Sequence, residues 1–168
     1  MTGSKIRVAL VLVVLWGCVE PAGDGVDAAV IEARLAELEA QFTPGLHTLM
    51  GEVGARHATL WFAGEAGNWP LADYVLHEIG ELIDDVETLH PVYDGMPVAQ
   101  LVGEMTAPAL GSVDAAVDAG DRAAFVAAFD ELTQSCNGCH IATERAALRI
   151  VRPTSPAVPN LEYRPQGP

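Results

Sequence analysis

Aromatic residues make up only 6% of this 168-residue chain, and basic residues number 9 against 23 acidic ones. The shortage of aromatics, in a chain rich in Ala, Leu, Val and Glu, argues for helices over an all-β sandwich. The shortage of cations leaves a net charge of −14. Such a surface repels phosphate backbones, which excludes nucleic acid as a partner, while a basic protein partner stays compatible with it. Strand-like alternation, a Gly-rich phosphate loop and an internal repeat are all missing. So is any acid–base or nucleophile constellation, which points to a carrier or binder rather than an enzyme. The longest apolar run, Val8–Trp16, is nine residues and too short to span a bilayer as a helix.

That run has a place in an export signal. Lys5 and Arg7 precede it as a short basic region, and Leu15-Trp16-Gly17-Cys18 follows. The last four residues resemble a bacterial lipobox, with Trp16 where that pattern prefers a smaller residue. The resemblance implies removal of residues 1–17 and a lipid on Cys18; the other outcome is an ordinary cleaved signal with Cys18 lost. Either way the expected location is exported, at the periplasmic face of a bacterial membrane, with membrane contact only through the N-terminal anchor. Loss of Lys5 and Arg7 moves the net charge from −14 to −14 − 2 = −16.

Residues 18–26 then form a lipid-anchored linker, and 27–42 an amphipathic helix with Ile31, Leu35, Leu38 and Phe42 spaced 4, 3 and 4. Four helices are expected beyond Thr43-Pro44. Helix A covers about 44–64, with Leu46, Leu49, Met50, Val53, His57, Leu60 and Trp61 on one face. Asn68 and Pro70 open helix B, about 69–90, which His90-Pro91 closes. Helix C covers about 97–119, broken or kinked by Pro108 and Gly111. Gly120-Asp121 stops C and caps helix D, about 121–150, whose inward residues include Phe125, Phe129, Leu132, Cys136, Cys139, Leu148 and Ile150. Short connections favour antiparallel neighbours. The expected fold is therefore all-α: an up-down-up-down four-helix bundle over 43–151, an extra N-terminal helix, and an extended Pro-rich tail over 152–168.

With Cys18 set aside, two cysteines remain, in Cys136-Asn137-Gly138-Cys139-His140. Cys-x-x-Cys-His is the attachment sequence of c-type haem. Two thiols add to the vinyl groups and the adjacent imidazole ligates the iron. On a helix, Cys136, Cys139 and His140 fall at i, i+3 and i+4 and share one side, while Asn137 and Gly138 need only be unobtrusive. A redox dithiol is the main competitor, but it wants a βαβ context and a helix N-terminus. A zinc site needs four ligands, and no second CxxC or HxxxH is present. The expected cofactor is one covalent haem c.

A single CxxCH in the last helix of a four-helix bundle resembles cytochrome c-prime and its six-coordinate relatives. The resemblance covers about Thr43 to Val151 and rests on Cys136, Cys139, His140 and their placement. It departs from the family at Thr143 and Glu144, where an aromatic and then a basic residue are usual; Arg145 comes one position later. It implies electron transfer to a redox partner protein, or binding of a small gas such as NO or CO. A homodimer stays open.

Candidates for the other face of the iron are Met50, His47 and His57. His140 lies ~28 Å down helix D, and stepping back as far from the end of an antiparallel helix A reaches about residue 45. Met50 and His47 lie within a turn or so of that level, and Met50 is the better placed on the inward face. The alternatives are a Met that only fills the core, and a vacant sixth position. His57 reads first as a hydrogen-bonded core histidine. Glu87-Thr88-Leu89-His90 matches the Glu-x-x-His of di-iron bundles, which need two copies. Arg145, Arg149 and Arg152 are candidates to pair with haem propionates or with surface carboxylates.

Overall fold

A computed structural model describes residues 27–167. Among them it is all-helical, with six α-helices and, outside them, an isolated bridge between Tyr93 and Met96. The chain divides into two units, 1–42 and 43–168. The expected signal segment, Cys18 and the linker lie outside the described residues. In the first unit, α1 (Ala28–Phe42) buries none of its side chains, and Ile31, Leu35 and Phe42 of its seam are exposed. No helix of the described residues is long and apolar enough to cross a membrane.

The second unit holds α2 (Leu46–Glu65), α3 (Trp69–Leu89), α4 (Val98–Met105), α5 (Ala107–Asp118) and α6 (Arg122–Ala142). Pro44 stays two residues ahead of α2, and Gly45 takes the N-cap position. Thr106 separates α4 from α5 with Pro108 in the first turn of α5, so the expected helix C is two helices. Proline removes a backbone donor and crowds the preceding turn, which is the cause of that break.

The ends of α2 and α5 use one device. After α2, the Gly67 amide bonds to the Gly64 carbonyl and Asn68 to Ala63; after α5, Gly120 bonds to Val117 and Asp121 to Ala116. Both glycines have positive φ, 70° and 61°. This is the Schellman arrangement, in which a left-handed residue turns the chain and satisfies the last carbonyls. Asn68 and Asp121 then cap the next helix, Asn68 accepting from the Leu71 amide and Asp121 from Ala123 and Ala124.

Helix α6 stops at Ala142, not near residue 150. The Glu144 amide bonds to Ile141 and Arg145 to His140, the same Schellman pattern, but here a glutamate holds the left-handed position with φ 61°. Beyond α6 the described chain, to residue 167, has no helix or strand. It is tied back by Asn137 to Ile150, by a two-point ion pair of Arg152 with Asp130, and by the Tyr163 ring against Phe62 at 5.7 Å.

All five helices of this unit share one core. Its packed end is aromatic: Phe129 lies 4.9 Å from Trp61 and 5.9 Å from Phe125, and Trp69 meets Phe125 edge-on. Fully burying Phe125 and Phe129 contributes about 1.5–3 kcal/mol each. Towards the C-terminal end of α6 the apolar side chains are only partly buried, and the interior opens.

Candidate functional site

The inner stripe of α6 runs Phe125, Phe129, Leu132, Cys136, Cys139, His140, in steps that stay on one face of a 3.6-residue period. The first three fill the core, and the last three border a cavity of about 440 Å³. That size falls within the ~300–1,000 Å³ range of sites for small organic groups. Its walls are mostly apolar. Leu46, Met50 and Val53 come from α2, Ile79 and Ile83 from α3, and Val98 and Val102 from α4; Tyr93, Arg145 and Leu148 stand among the remaining residues.

His140 is oriented by a backbone carbonyl of the chain that returns after α6. Its Nδ1 lies 2.6 Å from the carbonyl oxygen of Leu148. A carbonyl only accepts, so Nδ1 donates; Nε2 has no partner among the described residues and in the neutral imidazole holds the lone pair. Thr143 supports the same turn, its hydroxyl donating to the carbonyls of Cys139 and His140. At the second spacer, Gly138, a Cβ would stand 2.5 Å from Met105 Cε, the movable end of a flexible side chain.

The two cysteines are free and half-buried. Burial pushes the Cys136 thiol up to about 11 and raises Cys139 as well. Thiols in such a setting are mostly protonated at neutral pH, the reverse of a reactive redox pair.

His57 is only 5% exposed and stacks on Phe129 with ring centroids 4.3 Å apart. The Thr133 hydroxyl donates to the Phe129 carbonyl at 2.9 Å, so the 2.9 Å contact with His57 Nε2 is a hydrogen bond that the imidazole donates. His57 Nδ1 has no partner among the described residues. Since no fully buried polar side-chain atom among them lacks one, Nδ1 keeps some exposure, and the residue lines the cavity. Desolvation lowers the His57 pKa to about 4, so this imidazole is neutral.

Met50, His47 and His57, the three candidates for the second axial position, line the same cavity as Cys136, Cys139 and His140. Met50 is half-buried against the core, His47 is exposed, and His57 is engaged by Thr133. Among the three arginines, Arg145 lines the cavity; it pairs with Asp94 and lies 5.4 Å above the Tyr93 ring. Arg152 is held away by Asp130 and Trp61, and Arg149 is exposed. His77 pairs with Glu81 on the surface. His90 turns to another partner than Glu87: its Nε2 donates to the Pro44 carbonyl at 2.8 Å, so the Glu-x-x-His pattern assembles no site. Cys18 lies outside the described residues.

Sequence reasoning missed Asn137, Leu148 and Tyr93. Leu148, expected on the inward face, lines the cavity while its side chain stays largely exposed, and its carbonyl holds His140. No periodicity or motif marks a residue that acts through its backbone. No family model, curated protein or solved structure matches this chain.

Proposed function

We propose that this chain is an exported monohaem c-type cytochrome, an electron carrier or gas binder rather than an enzyme, of the cytochrome c-prime class in a divergent form. With that reading goes a finer architecture: an up-down-up-down four-helix bundle, an extra N-terminal helix, and an extended tail along the bundle. One observation carries it. The three chemically active side chains of CxxCH border a single apolar cavity, and His140 has its Nδ1 committed to a backbone carbonyl and its Nε2 lone pair free.

The residues present fit the group. Cys136 and Cys139 supply the two thiols for thioether attachment, His140 the axial imidazole, and the walls a water-poor surround that favours a large apolar ring. Arg145 is the cation within reach of carboxylates at the rim. When bound, haem supplies an iron that cycles between ferrous and ferric or takes up a gas such as NO or CO. Met50 as a second ligand makes the protein a carrier; a vacant position makes it a gas binder. Its partner is then a redox protein, and Cys18 is its lipid anchor at the periplasmic face.

The other reading is a lipoprotein interaction module whose CxxC is a redox-active or structural dithiol. Against a redox-active pair stand the raised thiol pKa values and a motif at the C-terminal end of a helix, where the helix dipole does not favour thiolates. Denaturing electrophoresis of the protein made with a c-type maturation system tests the choice. Haem that stays on the polypeptide, and is lost in Cys136→Ala/Cys139→Ala, supports the cytochrome. A stable haem-free wild-type protein opposes it.

A further inference from the structure

Asn137 is the first spacer of the motif, a position that haem attachment leaves free to vary. Both donors and the oxygen of its side-chain amide are nevertheless engaged. Nδ2 donates to the Thr133 carbonyl at 3.0 Å and to the Ile150 carbonyl at 2.9 Å, and Oδ1 accepts from the Ile150 amide at 2.8 Å. The last two bonds grip both backbone groups of one residue, as a neighbouring β-strand would. Only a side chain carrying a donor and an acceptor side by side can do this, so Asp loses the donor and Leu loses both.

The gripped residue belongs to the segment that turns back after α6. The Schellman turn at Glu144 reverses the chain, and a further turn bonds the Leu148 amide to the Arg145 carbonyl. Two residues before Ile150, the Leu148 carbonyl meets His140 Nδ1 at 2.6 Å. The returning segment is thus fastened at Ile150 to the same helix whose histidine it orients, with Asn137 and His140 three positions apart on that helix.

We infer that Asn137 is a positioning residue for the axial histidine: by clamping Ile150 it fixes the Leu148 carbonyl, which sets the tautomer and direction of His140. This rests on the cytochrome reading for its consequence, because the acceptor on Nδ1 makes the imidazole a stronger electron donor at Nε2. It does not rest on it for its geometry.

The test uses the purified full-length exported protein, wild type, Asn137→Leu and Asn137→Asp. NMR reads the His140 Nδ1 proton and the exchange rate of the Ile150 amide, and potentiometry reads the reduction potential wherever haem is bound. The wild type should show a slowly exchanging, hydrogen-bonded Nδ1 proton and a protected Ile150 amide. Asn137→Leu should speed exchange of both and shift the potential upward at unchanged haem content; Asn137→Asp, which keeps the acceptor, should retain more of the Ile150 protection. A wild type with an unprotected Ile150 amide or a freely exchanging Nδ1 proton overturns the inference without any variant, even if the variants fail to fold. Unchanged Nδ1 proton exchange and potential in a folded Asn137→Leu also overturn it. A wild-type protein that carries no haem overturns the cytochrome reading instead, and the two NMR measurements still decide the role of Asn137.

Discussion

Lowering the pH should destabilise the 43–168 unit through His57 before the carboxylates take over. The imidazole is buried, donates to Thr133, and has its pKa lowered from 6.5 to about 4 by desolvation. Below pH 6.5 the unfolded chain takes up a proton here that the folded chain refuses. The unfolded state then binds more protons, so stability falls as pH falls from 6.5 to 4 and this contribution levels off below that. The full difference is worth about 3 kcal/mol, most of which is lost by about pH 4.5. For a unit of this size that is a drop in Tm on the order of 10 °C. The assay is thermal unfolding of wild type and His57→Gln at about pH 7 and about pH 4.5, which bracket most of that window. The glutamine variant loses the ring stacking at both pH values, so the difference between the two pH steps isolates the proton. The wild type should lose about 2–3 kcal/mol more than the variant over that interval. Parallel losses in the two proteins would refute the reasoning.

The distal side has its own test: Met50→Ala should convert a six-coordinate low-spin haem to a five-coordinate high-spin one, open the iron to CO and lower the reduction potential, all read by absorption spectroscopy and potentiometry. A wild type that is already high-spin refutes Met50 ligation, and a low-spin spectrum altered only by His47→Ala or His57→Ala moves the ligand to that histidine. Glu144→Gly should raise stability by about 0.5–1 kcal/mol in chemical denaturation, because a β-carbon at φ 61° is strained and glycine is not. Cys18→Ser should release the protein from membranes into the soluble exported fraction, a large effect because each buried CH₂ of a lipid contributes about 0.8 kcal/mol. Unchanged membrane association sinks the anchor.

What was legible in the sequence is what local chemistry decides. Asn68-Trp69-Pro70 and Gly120-Asp121 mark helix ends because a left-handed stop and a cap are short-range devices, and α3, α5 and α6 begin or end there. The inward faces of α2 and α3 follow from their period, and helix length with antiparallel order brings Met50 and His47 to the CxxCH side chains; His57, expected well away from the level of His140, lines the same cavity. The end of α6 was not legible. Thr143 to Ile150 contains no Gly or Pro and several good helix formers, so propensity continues the helix. The stop comes from a strained glutamate and from Asn137 capturing Ile150 thirteen residues away, a tertiary bond that no local pattern displays. For the same reason Asn137 reads as an inert spacer in sequence and as a clamp in three dimensions.

The central claim concerns what Cys136 and Cys139 carry, and intact mass spectrometry of the exported protein after exposure to an alkylating agent under denaturing conditions measures it directly. The account predicts a polypeptide heavier by one haem, with neither Cys136 nor Cys139 alkylated. A polypeptide of unmodified mass whose two thiols both alkylate, or do so only after reduction, would contradict it.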